Sequence, residues 1–474
     1  MAQFMQYPSQ AVRVQLDKPY AHFTNLDLIT GRVILDLPTR DTIAAITVKL
    51  EGESSTRVRP GVDDMDSQSE VHKLLYRVES VFPPSGLQQV GSSDNYTLSP
   101  GHYEYPFKFK IPFNNDCEKN SHGLQGLIPT LHVHKTLPPS LDYGNAGIRY
   151  YVKVTVARAS ILKQNFRAST NFLFLPIEPP RPPDGRQEAY ARRSQQFQDS
   201  SGSWSKGIFA KKSRPESGTA PAQFCPEIRL PNPPILTCNE TIPLRVLLTK
   251  VNESTEILYL QSLQIELIGF TTLRAQQLAR EEMGSWVLFS KSNLNIPIQT
   301  PTPNKATVID NSMWKSIRLP TTVAPSFMAC NVSRRYSLDV RIGIGRGLPG
   351  GAILPDYIVS PLRMDVEVYS GIAPPPALLE AMATSTYLPQ TLPSFSNGVP
   401  PRRPVGAGSS RPSYQESVQL PAYDEAPPSY EDAIAEDVAP VDGPRRTYTG
   451  NLQPEQTPRS SPTPVGSERP VRNA

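Results

Sequence analysis

Cysteine is scarce in this chain of 474 residues: Cys117, Cys225, Cys238 and Cys330 lie far apart, with no C-x-x-C pair among them. That spacing excludes a sequence-local zinc knuckle and a disulfide scaffold, and the expectation is four reduced, mostly buried thiols. Long apolar runs are missing too. No stretch reaches the ~18 consecutive apolar residues of a membrane span, and residues 1–14 lack a basic segment followed by an apolar core. The chain therefore reads as cytoplasmic, and the Asn-x-Ser/Thr triplets at Asn95, Asn239, Asn252 and Asn331 read as chance occurrences. An excess of one charge is also absent: 48 Lys+Arg against 44 Asp+Glu leave a net charge of +4, which argues against a nucleic-acid partner. Lysine stops at Lys315, so all 16 lysines precede the last third of the chain.

Proline is what the chain has in surplus. Its 51 prolines are roughly twice the usual ~5 %, and 19 of them follow Ser370. An interior proline costs a helix ~3 kcal/mol, so a helical bundle is excluded. From residue 10 to 178 the pattern is instead short apolar alternation broken by turn residues. Ile46-Thr-Val-Lys-Leu50, Tyr103-Glu-Tyr-Pro-Phe107-Lys-Phe109-Lys-Ile111 and Tyr151-Val-Lys-Val-Thr-Val156 each put apolar residues on one face. Such strands need a second sheet over that face, which makes a sandwich. Periodicity vanishes from 179 to 222, where Arg, Ser, Gly and Pro predict a basic flexible linker. It resumes from 223 to 371, in Ile242–Leu248, Ile257–Leu260, Leu263–Ile268, Tyr336–Ile342 and Leu362–Val368, and predicts a second β-sandwich. From 372 to 474 the composition cannot bury enough apolar surface to offset its ordering entropy, and a disordered tail is expected.

Several segments carry a family resemblance. Leu98-Ser-Pro-Gly101-His-Tyr-Glu-Tyr105-Pro106-Phe107-Lys-Phe109-Lys-Ile111-Pro112 resembles a hallmark strand of the arrestin N-terminal domain, as does Leu137-Pro138-Pro139-Ser140 followed by Ile148-Arg149-Tyr150-Tyr151-Val152. Leu28-Ile-Thr-Gly31-Arg-Val33 and Ile46-Thr-Val-Lys-Leu-Glu-Gly52 fit earlier strands of that domain, in the same order. Pro233-Pro-Ile-Leu-Thr-Cys238-Asn-Glu-Thr-Ile-Pro243-Leu looks like the opening of an arrestin C-terminal domain. The resemblance covers about residues 10 to 371 and implies two tandem arrestin-like sandwiches, all-β.

The tail decides the branch. Leu420-Pro421-Ala422-Tyr423 is an LPxY sequence and Pro427-Pro428-Ser429-Tyr430 a PPxY motif. Adjacent prolines hold the backbone near polyproline II, so little entropy is lost on entering an aromatic-lined WW groove, and the tyrosine fills a second pocket. The two tyrosines are seven residues apart, roughly 20 Å at ~3.1 Å per residue, which favours alternative registers on one module over simultaneous occupation of two. Ser429-x-x-Asp432 before Ala433-Ile-Ala435 either opens a helical turn or is plain spacer. Arg411-Pro-Ser-Tyr414 is a degenerate copy, expected to be inert. Seven acids from Asp424 to Asp442, with no Lys or Arg between Pro412 and Pro444, solvate the segment and favour encounter with a basic groove.

Such a tail resembles those of the α-arrestins, ubiquitin-ligase adaptors of fungi and animals. The resemblance implies a WW-domain HECT-type ubiquitin ligase as partner, cytosolic segments of a plasma-membrane transporter or receptor as cargo, and endocytosis as outcome, with peripheral recruitment to plasma membrane and endosomes. The alternatives are an arrestin-like signalling scaffold, as in ambient-pH sensing, and a retromer-type sorting protein. The lysine-free tail offers a docked ligase no acceptor beside its dock, which suits modification of the arrestin body or the cargo.

Within the linker, Trp204, Lys206, Phe209, Lys211, Lys212 and Arg214 interleave aromatics with cations. They read either as a contact for an anionic membrane surface or as an ordinary basic loop. Ser194 and Ser213 follow basic pairs, and Thr457, Ser461 and Thr463 precede proline, settings that kinases favour. Gly343-Ile-Gly345-Arg-Gly347 lacks the Lys-Ser/Thr of a phosphate loop and reads as a hairpin turn. His132-Val-His134 would place two imidazoles on one strand face, but no spacing rule supplies a third ligand, so neither metal nor cofactor is expected. No catalytic motif is recognisable, and the chain reads as a non-enzyme.

Overall fold

The computed structural model describes residues 11–19, 22–60, 66–84, 95–117, 131–160, 162–183, 185, 187–198, 220–300, 302–348, 353–386, 430–441 and 445–450. In chain order the first ten strands are β1 (Val12–Leu16), β2 (His22–Phe23), β3 (Leu28–Leu37), β4 (Asp41–Val58), β5 (Gln68–Phe82), β6 (Tyr96–Leu98), β7 (Gly101–Lys110), β8 (Leu141–Tyr143), β9 (Ala146–Arg158) and β10 (Phe166–Phe174). The next twelve are β11 (Ala189–Arg192), β12 (Gln195–Gln196), β13 (Gln223–Leu230), β14 (Ile235–Thr237), β15 (Arg245–Lys250), β16 (Ile257–Ala275), β17 (Leu278–Lys291), β18 (Ile296–Ile298), β19 (Ala306–Val308), β20 (Phe327–Met328), β21 (Val332–Gly347) and β22 (Ile353–Tyr369). Two helices follow, α1 (Pro376–Thr386) and α2 (Tyr430–Asp437).

The fold is two tandem β-sandwiches. In the first, the sheet β1-β3-β7 faces the sheet β2-β10-β9-β4-β5, with β6 and β8 added at its margins. In the second, β11-β13-β15-β19 with β12 faces β14-β22-β21-β16-β17, extended by β18 and β20. Period-2 alternation explains which side is core: Ile46, Val48 and Leu50 of β4 and Val152, Val154 and Val156 of β9 are fully buried, and in each strand the intervening residues are less so. Both sandwiches repeat one device. A short strand, β2 or β14, runs parallel to the last long strand, β10 or β22, at the end of the larger sheet.

Two expectations are corrected. The stretch from 179 to 222 is not wholly linker, because β11 and β12 pair antiparallel with β13 inside the second sandwich. Their polar sequences hid them: an edge strand is held by its backbone ladder and needs only partial side-chain burial. Gly343-Ile-Gly345-Arg-Gly347 is not a hairpin turn but the end of β21, paired with β16 across a register shift at Leu260/Ser262. A Cβ on Gly343 would lie 2.1 Å from Ser262 Oγ and one on Gly345 2.8 Å from Gln261 Cγ, so glycine lets these two side chains approach the strand closely at a bulge. Within the tail after 372, the described residues include two short helices. Pro376 opens α1, where its missing N–H costs nothing, and Leu378 and Ala381 are buried.

Candidate partner-docking site

Tyr430, the last residue of the PPxY motif, is the first residue of α2, so the helical alternative is the one adopted from Tyr430 through Ala435. Leu420, Pro421, Tyr423, Pro427 and Pro428 lie outside the described residues, as do Trp204, Lys206, Phe209, Lys211, Lys212 and Arg214. Helix α2 is seated on the first sandwich. Ala435 is buried, Asp432 accepts from the Asn114 backbone N–H at 3.3 Å and pairs with His134 Nε2 at 3.4 Å, and α1 packs alongside. At the other end Lys110 Nζ, from the end of β7, donates to the carbonyls of Glu436 (2.6 Å) and Val438 (2.7 Å). A cation on terminal carbonyls both satisfies orphan acceptors and complements the helix dipole. Burial pulls the Lys110 pKa down, opposed by Asp437 and Glu436.

Beyond the helix, residues 445–450 return to the body and touch both sandwiches. Tyr448 is fully buried and donates its hydroxyl to the Ser140 carbonyl at 2.7 Å, while its own carbonyl accepts from His22 Nε2 at 2.7 Å. The Asp142 N–H donates to the Gly450 carbonyl at 2.8 Å, and on the second sandwich the Thr449 N–H donates to the Thr321 carbonyl at 3.1 Å. Arg445 pairs with Asp27 at 2.7 Å, and Arg446 pairs with Glu240 across the joint. Burial raises the Asp27 pKa, held in check by the Thr24 N–H, Arg445 and Lys18.

A second seam joins the sandwiches directly. Asn331, in the turn between β20 and β21, is buried and accepts from Ser54 Oγ at 2.5 Å, while its amide donates to the Ser54 carbonyl (3.3 Å), Thr56 Oγ1 (3.1 Å) and the Glu70 carbonyl (3.3 Å). Thr56 Oγ1 donates to the Arg274 carbonyl. Between β16 and β17 the chain turns in two residues, and Gln276 there has a left-handed φ of 56°, its N–H held by Glu70 Oε2. Nearby, Arg334 is buried over the rings of Tyr143 (5.3 Å), Trp286 (5.1 Å) and Tyr336 (5.2 Å), a cation–π cage that takes Tyr143 from the first sandwich. Sequence reasoning missed this seam because its residues come from eight separate strands and turns. It flagged Asn331 only as a glycosylation triplet.

The two histidines of His132-Val-His134 do not share a strand face. His134 turns to Asp432 and to the Asn115 carbonyl (3.1 Å), and His132 packs edge-on against His72 at 5.3 Å between centroids. All four cysteines are free thiols, with Cys117, Cys238 and Cys330 buried and Cys225 half-buried.

Residues 12–127 match the family model described as Arrestin (or S-antigen), N-terminal domain. Those residues, which lie in the first sandwich, are an arrestin N-terminal domain, and the curated proteins similar to the chain are fungal. Curated proteins similar to this chain include arrestin-related trafficking adapter 10 of Lachancea thermotolerans, 28 % identical over 179 residues (31 % of this chain, 42 % of that one). The Candida glabrata protein of the same name is 31 % identical over 133 residues (25 % and 26 %), and that of Saccharomyces cerevisiae 28 % over 146 residues (28 % of each). The chain thus aligns with less than half the length of each of these relatives. Among its described residues no helix is long and apolar enough to cross a membrane.

Proposed function

We propose that this chain is an α-arrestin of the fungal type, a trafficking adaptor that recruits a WW-domain HECT-type ubiquitin ligase to plasma-membrane cargo, leading to cargo ubiquitination and endocytosis. The reading is carried by one observation: two aromatic-ended proline motifs, Leu420-Pro421-x-Tyr423 and Pro427-Pro428-x-Tyr430, leashed to an arrestin body. Its relatives bear the name of trafficking adapters, which agrees with the role. The geometry adds a support, because α2 begins at Tyr430 and its seating on the first sandwich keeps the dock beside the body that would hold cargo. Trp204, Lys206, Phe209, Lys211, Lys212 and Arg214 would add an attraction to anionic headgroups of about 1 kcal/mol per cation, favouring peripheral residence at plasma membrane and endosomes.

The test is a titration of full-length protein into a tandem WW fragment of such a ligase, beside the Tyr423→Ala/Tyr430→Ala double variant. Micromolar binding is expected for the wild type, because few atoms are buried and the flanks must be ordered, with loss of at least tenfold in the variant. In cells the same variant stops cargo ubiquitination. Unchanged binding would refute the adaptor reading, and normal cargo turnover despite lost binding would favour a signalling scaffold.

A further inference from the structure

Four side chains that the adaptor role does not use converge at the joint between the sandwiches. His72 lies on β5, Cys117 and His132 flank residues 118–130, and Cys330 sits in the turn between β20 and β21 of the second sandwich. One ligand atom from each lies within 4.8 Å of every other. Cys117 Sγ is 3.1 Å from His72 Nδ1 and 3.3 Å from His132 Nδ1. Zinc–sulfur bonds of about 2.3 Å and zinc–nitrogen bonds of about 2.0–2.1 Å set tetrahedral edges of about 3.3–3.8 Å, so this cluster needs little change to enclose such an ion.

From the coordinating atoms and their surroundings, we infer that His72, Cys117, His132 and Cys330 form a Cys2His2 zinc site that fastens the first sandwich to the second. Thiolate and imidazole donors suit zinc and disfavour magnesium or calcium, which take oxygen. Four protein donors leave no open position, which is the arrangement of a structural ion rather than a catalytic one.

The outer groups fit the same role. Glu70 Oε1 lies 2.5 Å from His72 Nε2, the nitrogen turned away from the cluster, so the carboxylate fixes the tautomer that leaves Nδ1 free to ligate. The other Glu70 oxygen accepts from the Gln276 N–H, and that links the ligand's support to the hairpin tip of the opposite sandwich. The Val133 N–H donates to Cys330 Sγ at 3.4 Å, as backbone amides do to metal-bound thiolates. Local spacing rules could not find the set, since its members are separated by 45, 15 and 198 residues. With the ion in place, the angle between the sandwiches is set by ligands from each side.

Full-length protein, purified without chelator from zinc-supplemented cells, should carry one zinc per chain by elemental mass spectrometry. Cys117→Ser and Cys330→Ser should each lose it, whereas Cys225→Ser, outside the cluster, should keep it. Exchange into cobalt should give the visible bands of four-coordinate Co(II) with sulfur-to-metal charge transfer. Chelation should lower the melting temperature of the wild type, and zinc but not magnesium should restore it, a readout that stands if a serine variant fails to fold. Protein that folds with less than a tenth of a metal equivalent, a Cys117–Cys330 disulfide in its place, iron or copper in place of zinc, or full zinc retention in both serine variants would each overturn the assignment.

Discussion

The two seams that hold the sandwiches together are built from opposite ends of the sequence logic. The direct seam, where Asn331, Arg274 and Gln276 meet Ser54, Thr56 and Glu70, uses residues in the sheets and in the tight turns that join their strands. The latch, residues 445–450, is a short segment far down the chain, returning over Ser140 and Thr321 with Tyr448 as its anchor. Chain connectivity makes the difference. Opening the direct seam must move a whole domain, whereas the latch can leave the surface and let the body remain folded. Local stability is low where few buried contacts hold a segment, and the latch depends on one buried ring and a handful of hydrogen bonds.

The largest expected effect sharpens that contrast. Tyr448→Ala deletes a fully buried aromatic, a change that costs about 3–5 kcal/mol in a core and exceeds what so short a segment can offset. Hydrogen exchange should show the Asp142 and Thr449 amides losing protection by a hundredfold or more, with the strands β4 and β9 unaffected. Next comes Asn331→Leu, which removes the acceptor for Ser54 Oγ and the donor to Thr56 Oγ1 and two carbonyls. Buried groups left unpaired cost ~1–3 kcal/mol each, and a global loss of about 2–4 kcal/mol is expected in denaturant unfolding, with the latch amides little changed.

A smaller effect is electrostatic. Burial raises the Asp27 pKa, so its contribution to stability is present below the unfolded value of 3.8 and fades as pH climbs through the folded value. Arg445 is one of the groups pulling that pKa down, so Arg445→Met should move it further up in a carbon-detected NMR titration and widen the acid window of relative stability. The smallest is Gln276→Gly. A left-handed φ of 56° strains a residue with a Cβ, and glycine should raise stability by about 0.5–1 kcal/mol while keeping the N–H to Glu70, read as a higher urea midpoint.

The gap between the sequence reading and the structure follows the same division. Long strands such as β4 and β9 were legible because burial on one face imposes period 2 on every residue. The strands β11 and β12 were not, since their pairing is written in backbone groups that every sequence carries. The helix α2 was half legible through Ser429-x-x-Asp432, but its seat was invisible, because Lys110, Asn114 and His134 are 296 or more residues away from it.

What the sequence determined by itself was the pair of sandwiches and the proline motifs at Tyr423 and Tyr430, since alternation, turn residues and polyproline stiffness are properties of neighbours in the chain. Only the tertiary structure decided where Tyr448 lands, why Asn331 is buried, and that His72, Cys117, His132 and Cys330 share one place. Those facts depend on distances between segments up to hundreds of residues apart, and such distances are set by how two closed β-layers dock rather than by any local preference of the backbone.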